Sequence, residues 1–161
     1  MPGLVPGIHV FKIRLEFKDV DGRDKPGNDE GEDVMAAYMW VAIGSALGGV
    51  ARHWCSVLAA QLFGLTFPWG TLFVNVLGSF IIGGFFALTE PEGRLDVSAD
   101  AKLFVMVGLC GGYTTFSSFS LQTLGLIHDE KWLLAIGNVI GSVTLCMFAV
   151  WAGHALANAV R

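Results

Sequence analysis

Apolar residues run almost unbroken over four stretches, from about Ala36 to Phe63, Pro68 to Leu88, Ala101 to Ile127 and Lys131 to Asn158. A bilayer core about 30 Å thick is crossed by about 20 helical residues at 1.5 Å each. Each stretch therefore predicts a transmembrane helix. Pro68 suits a first helical turn, where its missing N–H is not needed. The connections are a few residues around Gly64, then Thr89–Asp100, then His128–Glu130, which leave no room for a soluble domain. Trp40, Trp54, Trp69, Trp132 and Trp151 lie mostly toward the segment ends, where amphipathic rings prefer the interface. The third stretch differs from the rest, because Gly111–Ser120 reads GGYTTFSSFS. In hydrocarbon an unpaired backbone group costs several kcal/mol, so a break is tolerated only against protein or along a polar path. The decapeptide predicts such a break and marks the functional region.

Composition supports the membrane reading. The 161 residues are 53% hydrophobic and 15% charged, against about 25% charged in soluble domains. Five of the ten basic residues and eight of the fourteen acidic ones fall within residues 1–34. The rest of the chain is close to neutral and carries no basic patch for nucleic acid. Cys55, Cys110 and Cys146 lie in apolar segments, an odd count whose spacing fits neither a zinc site nor a disulfide framework. Residues 1–34 are polar toward their end and lack a signal peptide's apolar core, and are expected to be a disordered extension. Val20–Asp29, VDGRDKPGND, resembles a translated genomic repeat, and the expected native start is Met35 or Met39. Residues 35–161 form the expected membrane domain.

Small residues recur at helix-packing intervals: Gly44 and Gly48, Ser79 and Gly83, Gly137 and Gly141. Such pairs let backbones approach closely in lipid. Four helices rarely enclose a path alone, so a homo-oligomer is expected. The basic residues of the connections barely favour one side, which allows two copies to insert oppositely.

No Asp or Glu lies inside the four stretches. Proton-coupled transport commonly uses intramembrane carboxylates or histidines, and the small multidrug exporters need a first-helix glutamate, so both are disfavoured. No nucleophile–base pair or metal-ligand cluster offers enzymatic chemistry. What remains is neutral polarity in rows. Thr71, Asn75 and Ser79 follow one helix face, as do Asn138, Ser142 and Cys146. Hydroxyls and amides can donate hydrogen bonds to an anion without adding negative charge. Arg52 is the one cation near the helices and reads as a vestibule charge, or as a snorkelling side chain. Phe116 and Phe119 lie one turn apart beside Ser117, Ser118 and Ser120, where the positive ring edges can face an anion.

Three motifs, GGVAR (Gly48–Arg52), PWGTLFVNVLGSF (Pro68–Phe80) and GLCGGYTTFSSFS (Gly108–Ser120), resemble those of the CrcB/Fluc fluoride channels. With the four-segment plan, the resemblance covers nearly all of residues 40–158. It implies an all-α membrane protein whose third helix breaks at the midplane. It also implies an antiparallel, dual-topology homodimer in the bacterial inner membrane, passing fluoride down its gradient and so protecting the cell. By motif position, carbonyls of Gly111 and Thr114 from both subunits would hold a structural sodium ion that is not transported. Phe116 and Phe119 would be the pore rings. Asn75, Thr71, Thr115 and Ser142 would line the pore, with Gln122 near its end and Arg52 in the vestibule. Asn138 stands where the family usually has an aromatic hydroxyl, and Cys146 where it has a hydroxyl. The alternatives are a non-conducting helical scaffold with a buried ion, and a four-helix exporter.

Overall fold

The computed structural model describes residues 28–90 and 93–160. The described residues form helices and no strand. They are α1 (Asn28–Phe63), α2 (Trp69–Thr89), α3 (residues 99–113), α4 (Phe116–His128) and α5 (Trp132–Ala159). Four spans are long and apolar enough to cross a membrane: Val34–Phe63, Trp69–Thr89, Ala99–His128 and Trp132–Ala159. The third consists of α3 and α4 together.

The chain divides into the units Met1–Val34 and Met35–Arg161. The disorder expected for the first unit lies, as far as residue 27, outside the described residues. From Asn28 the chain is helical, so α1 starts ahead of the expected Ala36.

Local chemistry sets the remaining ends. Gly64, at φ 78°, closes α1, and its N–H reaches the Ala60 carbonyl at 3.0 Å. Pro68 precedes α2. Ser98 caps α3 by accepting from the Ala101 N–H at 3.2 Å. The Lys102 ammonium donates to the Thr89 carbonyl at 2.8 Å, capping the end of α2. Glu130 takes a left-handed conformation (φ 60°) so that the Lys131 N–H can close on the Leu126 carbonyl at 2.8 Å, which turns α4 tightly into α5.

Within the membrane unit, glycines set the helix contacts. A methyl group on Gly44 would meet the Phe104 carbonyl oxygen at 2.6 Å, and one on Gly48 would meet the Tyr113 nitrogen at 2.7 Å, so α1 lies against α3. Gly83 and Gly153 bring α2 and α5 into backbone contact, facing Val150 and Phe80 respectively. Gly137 and Gly141 do not pack: a methyl group on either would meet nothing within 4 Å. Among the described residues that expected contact is absent, and this face of α5 is left open.

The interior is small and polar. Thr71, Val74, Gly78, Ala135, Asn138, Ser142 and Gly153 are buried, whereas Leu133, Met147 and Trp151 are exposed. Lipid solvates large apolar side chains as well as protein does, so close backbone packing of small residues holds the helices together. From Leu103 to Cys110, α3 winds as a wider π-helix, a form often found at functional sites.

Candidate ion pathway

The interruption between α3 and α4 is two residues long. Thr114 (φ −86°, ψ 161°) and Thr115 (φ −156°, ψ 120°) are extended. Fifteen residues of the 30-residue span precede Thr114. Asn75 on α2 holds the extended segment. Its Oδ1 accepts the Thr115 N–H at 2.7 Å, and its Nδ2 donates to the Thr115 carbonyl at 3.0 Å. The side-chain amide thus pairs with the backbone as a second peptide would, and satisfies two groups that hydrocarbon could not.

Thr115 is also the N-cap of α4. Its Oγ1 accepts the Ser118 N–H at 3.2 Å, donates to Ser118 Oγ at 3.1 Å, and lies 3.2 Å from Ser117 Oγ. These bonds redirect two helical donors. In an unbroken helix the Thr115 N–H would close on the Gly111 carbonyl, and the Ser118 N–H on the Thr114 carbonyl. Both donate elsewhere. The Gly111 and Thr114 carbonyls thereby lose their helical donors, while the Cys110 carbonyl keeps the Thr114 N–H at 3.0 Å and the Thr114 hydroxyl at 2.9 Å.

The break brings two helix ends together. The carbonyl end of α3 carries partial negative charge and the N–H end of α4 partial positive charge. The first favours a cation and the second an anion. Among the described residues no cluster of His, Cys, Asp and Glu could hold a metal. A cation at the break would therefore take backbone oxygens, a donor set that suits a hard ion.

An open-sided groove of about 310 Å³ runs along the break. Gly111, Thr114, Thr115, Asn75, Phe116, Phe119 and Ser142 all line it, joined by Ser79, Ile82, Met106, Cys110 and Cys146. The two phenylalanine rings are tilted, with centroids 5.3 Å apart. Phe119 is buried, but Phe116 is 77% exposed. Thr71 and Gln122 line a different hollow, beside Trp69, Asp129 and Lys131, where the α1–α2 and α4–α5 turns lie. Thr71 is buried there and Gln122 exposed. Lys131 is paired with Asp129 at 2.9 Å.

Arg52 lines neither hollow. It is half-buried and lies eleven residues before the end of α1, about 16 Å along the axis at 1.5 Å per residue. Its position is thus well within the span, between Gly48, which faces Tyr113, and Ser56, which faces Gly70. Nearby, Cys55 Sγ and the Tyr113 hydroxyl lie 3.4 Å apart, linking α1 to α3.

A polar cluster on α4 and α5 emerges only in the fold. Asn138, 1% exposed, donates from Nδ2 to Thr123 Oγ1 at 2.8 Å. The Ser142 hydroxyl donates to Asn138 Oδ1 at 3.3 Å, and the Thr123 hydroxyl donates to the Phe119 carbonyl at 2.8 Å. The row from Asn138 to Ser142 is visible in the sequence. Thr123, on the neighbouring helix, gives no comparable signal.

Comparison with known proteins now bears on this geometry. The family described as "CrcB-like protein, Camphor Resistance (CrcB)" matches residues 39–154. A fluoride-specific ion channel FluC of Opitutus terrae is 60% identical over 120 residues, covering 74% of this chain and 91% of that protein. FluC of Methylocella silvestris is 55% identical over 124 residues, covering 77% and 95%. FluC of Paramagnetospirillum magneticum is 53% identical over 127 residues, covering 79% and 99%.

Proposed function

Since the chain belongs to the CrcB family, we propose that it is a passive fluoride-selective channel that lets fluoride leave the cell down its gradient. It is a multi-pass membrane protein, and the reading places it in the bacterial inner membrane. Two copies insert in opposite orientations, and the open side of each groove is covered by the partner. The exposure of Phe116 beside buried Phe119, and the unpacked Gly137–Gly141 face of α5, support a second copy. A path closed this way would be narrow, and its fixed donors would replace part of the ion's water.

The observation that carries the reading is the break itself. Asn75 holds Thr115 extended, so the α4 N-terminus opens onto the groove halfway along the third span. Fluoride is a strong hydrogen-bond acceptor. In this reading the hydroxyls of Thr115 and Ser142, the Asn75 amide and the ring edges of Phe116 and Phe119 receive it in turn. Thr71 and Gln122 continue the polar lining toward the membrane surface, where their hollow opens. Arg52 raises the potential along the way, from a depth nearer the break than a rim charge would have.

The Gly111 and Thr114 carbonyls, two from each subunit, suit a structural sodium ion because their helical donors are engaged elsewhere. Sodium bound there would offset the carbonyl charge and make the centre more favourable for an anion. The test is fluoride efflux from liposomes holding the purified protein. Fluoride release well above protein-free liposomes, with chloride retained, is expected. Chloride leaving as fast as fluoride refutes the selectivity, and no release of either refutes the channel.

A further inference from the structure

We propose that Asn138 is a positioning residue for the pathway, acting through the Ser142 hydroxyl. The inference rests on the fluoride-channel reading. Asn138 does not line the groove, but both ends of its hydrogen-bond chain do. Ser142 donates to Asn138 Oδ1, Asn138 Nδ2 to Thr123, and Thr123 to the Phe119 carbonyl. One buried amide thereby fixes a groove hydroxyl on α5 relative to the backbone of a groove phenylalanine on α4. Every donor in the chain points the same way.

The geometry also gives Ser142 an unusual default. A serine in a membrane helix ordinarily bonds the carbonyl four residues back, which for Ser142 is the backbone carbonyl of Asn138. Here the Asn138 side chain takes that proton instead. It holds it at 3.3 Å, longer than the usual 2.5–3.0 Å for O–H···O. A long bond is weak, so a stronger acceptor in the groove can take the proton with a small rotation of the hydroxyl. Asn138 therefore keeps the Ser142 donor off its own backbone and ready for an anion. A fully buried amide with both ends engaged suits this role, since its own orientation is fixed.

Fluoride efflux from liposomes tests the inference with four chains: the parent, Asn138→Leu, Ser142→Ala and the double variant. The parent tests the channel reading on its own, because a non-conducting parent overturns that reading. Given a conducting parent, Asn138→Leu is expected to cut efflux about five- to tenfold, the effect of one net hydrogen bond. Ser142→Ala is expected to cut it similarly. The double variant should lose no more than Ser142→Ala alone, because Asn138 acts through Ser142. Parent-like efflux from Asn138→Leu overturns the proposal. So does a double variant in which the two losses multiply, as they would if Asn138 only held the helices together. Should Asn138→Leu fail to assemble, Thr123→Val releases Nδ2 at nearly constant shape. It is expected to give a smaller loss that also disappears in the Ser142→Ala background, and a multiplying loss there again overturns the proposal.

Discussion

Asn75→Leu removes the two bonds that hold the break while keeping the number and branching of the side-chain heavy atoms. Each bond contributes about 0.5–1.5 kcal/mol net, and each backbone group left buried and unpaired costs about 1–3 kcal/mol. If Thr115 stays extended, its N–H and carbonyl are both orphaned, and the variant loses roughly 2–6 kcal/mol of stability. The alternative is closure. The Thr115 N–H returns to the Gly111 carbonyl, α3 runs into α4, and much of the stability is recovered. Closure takes the Gly111 carbonyl away from any cation and turns the α4 N-terminus off the groove. Fluoride efflux is expected to fall at least about tenfold along either route, since a change of about 1.4 kcal/mol is already tenfold. Thermal unfolding in detergent, with and without sodium, separates the routes. The open route lowers the midpoint, whereas the closed route largely restores it and removes its dependence on sodium. Efflux at the parent rate, with sodium dependence intact, refutes the argument that Asn75 holds the pathway open.

Phe116→Ile and Phe119→Ile are both expected to cut efflux strongly. Only Phe119→Ile should also lower the unfolding stability, by about 1 kcal/mol, because Phe119 is the buried ring of the pair; parent-like flux in both excludes the ring-edge role. Gly153→Ala places a methyl group against the Phe80 carbonyl, so unfolding should show a loss of about 1–3 kcal/mol, while Gly137→Ala, facing open space within the chain, should disturb dimer formation more than subunit stability. Exchanging sodium for a large organic cation should lower the midpoint of the parent dimer, and an unchanged midpoint argues against a cation at the Gly111 and Thr114 carbonyls.

The helical plan was legible in the sequence because hydrophobic length dictates it. Four apolar runs gave four spans, with ends set by Gly64, Pro68 and the turn after His128. The helical start at Asn28 was less visible, because the acidic run that makes that segment look disordered also suits a helix N-terminus. Thr114 and Thr115 fall within the anomalous decapeptide, where glycines and hydroxyls made a continuous helix least comfortable. The polar row through Asn75 is plain in the sequence, but nothing local identifies Thr115, forty positions away, as its partner. The link from Asn138 to Thr123 joins two helices and has no periodic trace. Spacing also suggested that Gly137 and Gly141 pack. Periodicity shows that two residues share a face, but not what that face meets. Thr71 shares the face of Asn75, yet one turn along α2 moves it into another hollow. The π-helical winding of α3 carries no signal in its apolar run.

The pairing of Asn75 with Thr115 also bears on the order of biogenesis. Until α2 lies alongside, the Thr115 N–H has no acceptor better than the Gly111 carbonyl. On their own, residues 99–128 would therefore favour one continuous helix, with the length and hydropathy of a single span. The break needs the amide on α2, which pairs with both the N–H and the carbonyl of Thr115. Because α2 is synthesised first, its asparagine is already in the membrane when the third span arrives. The irregular centre is thus a property of the assembled helices and not of the third span alone.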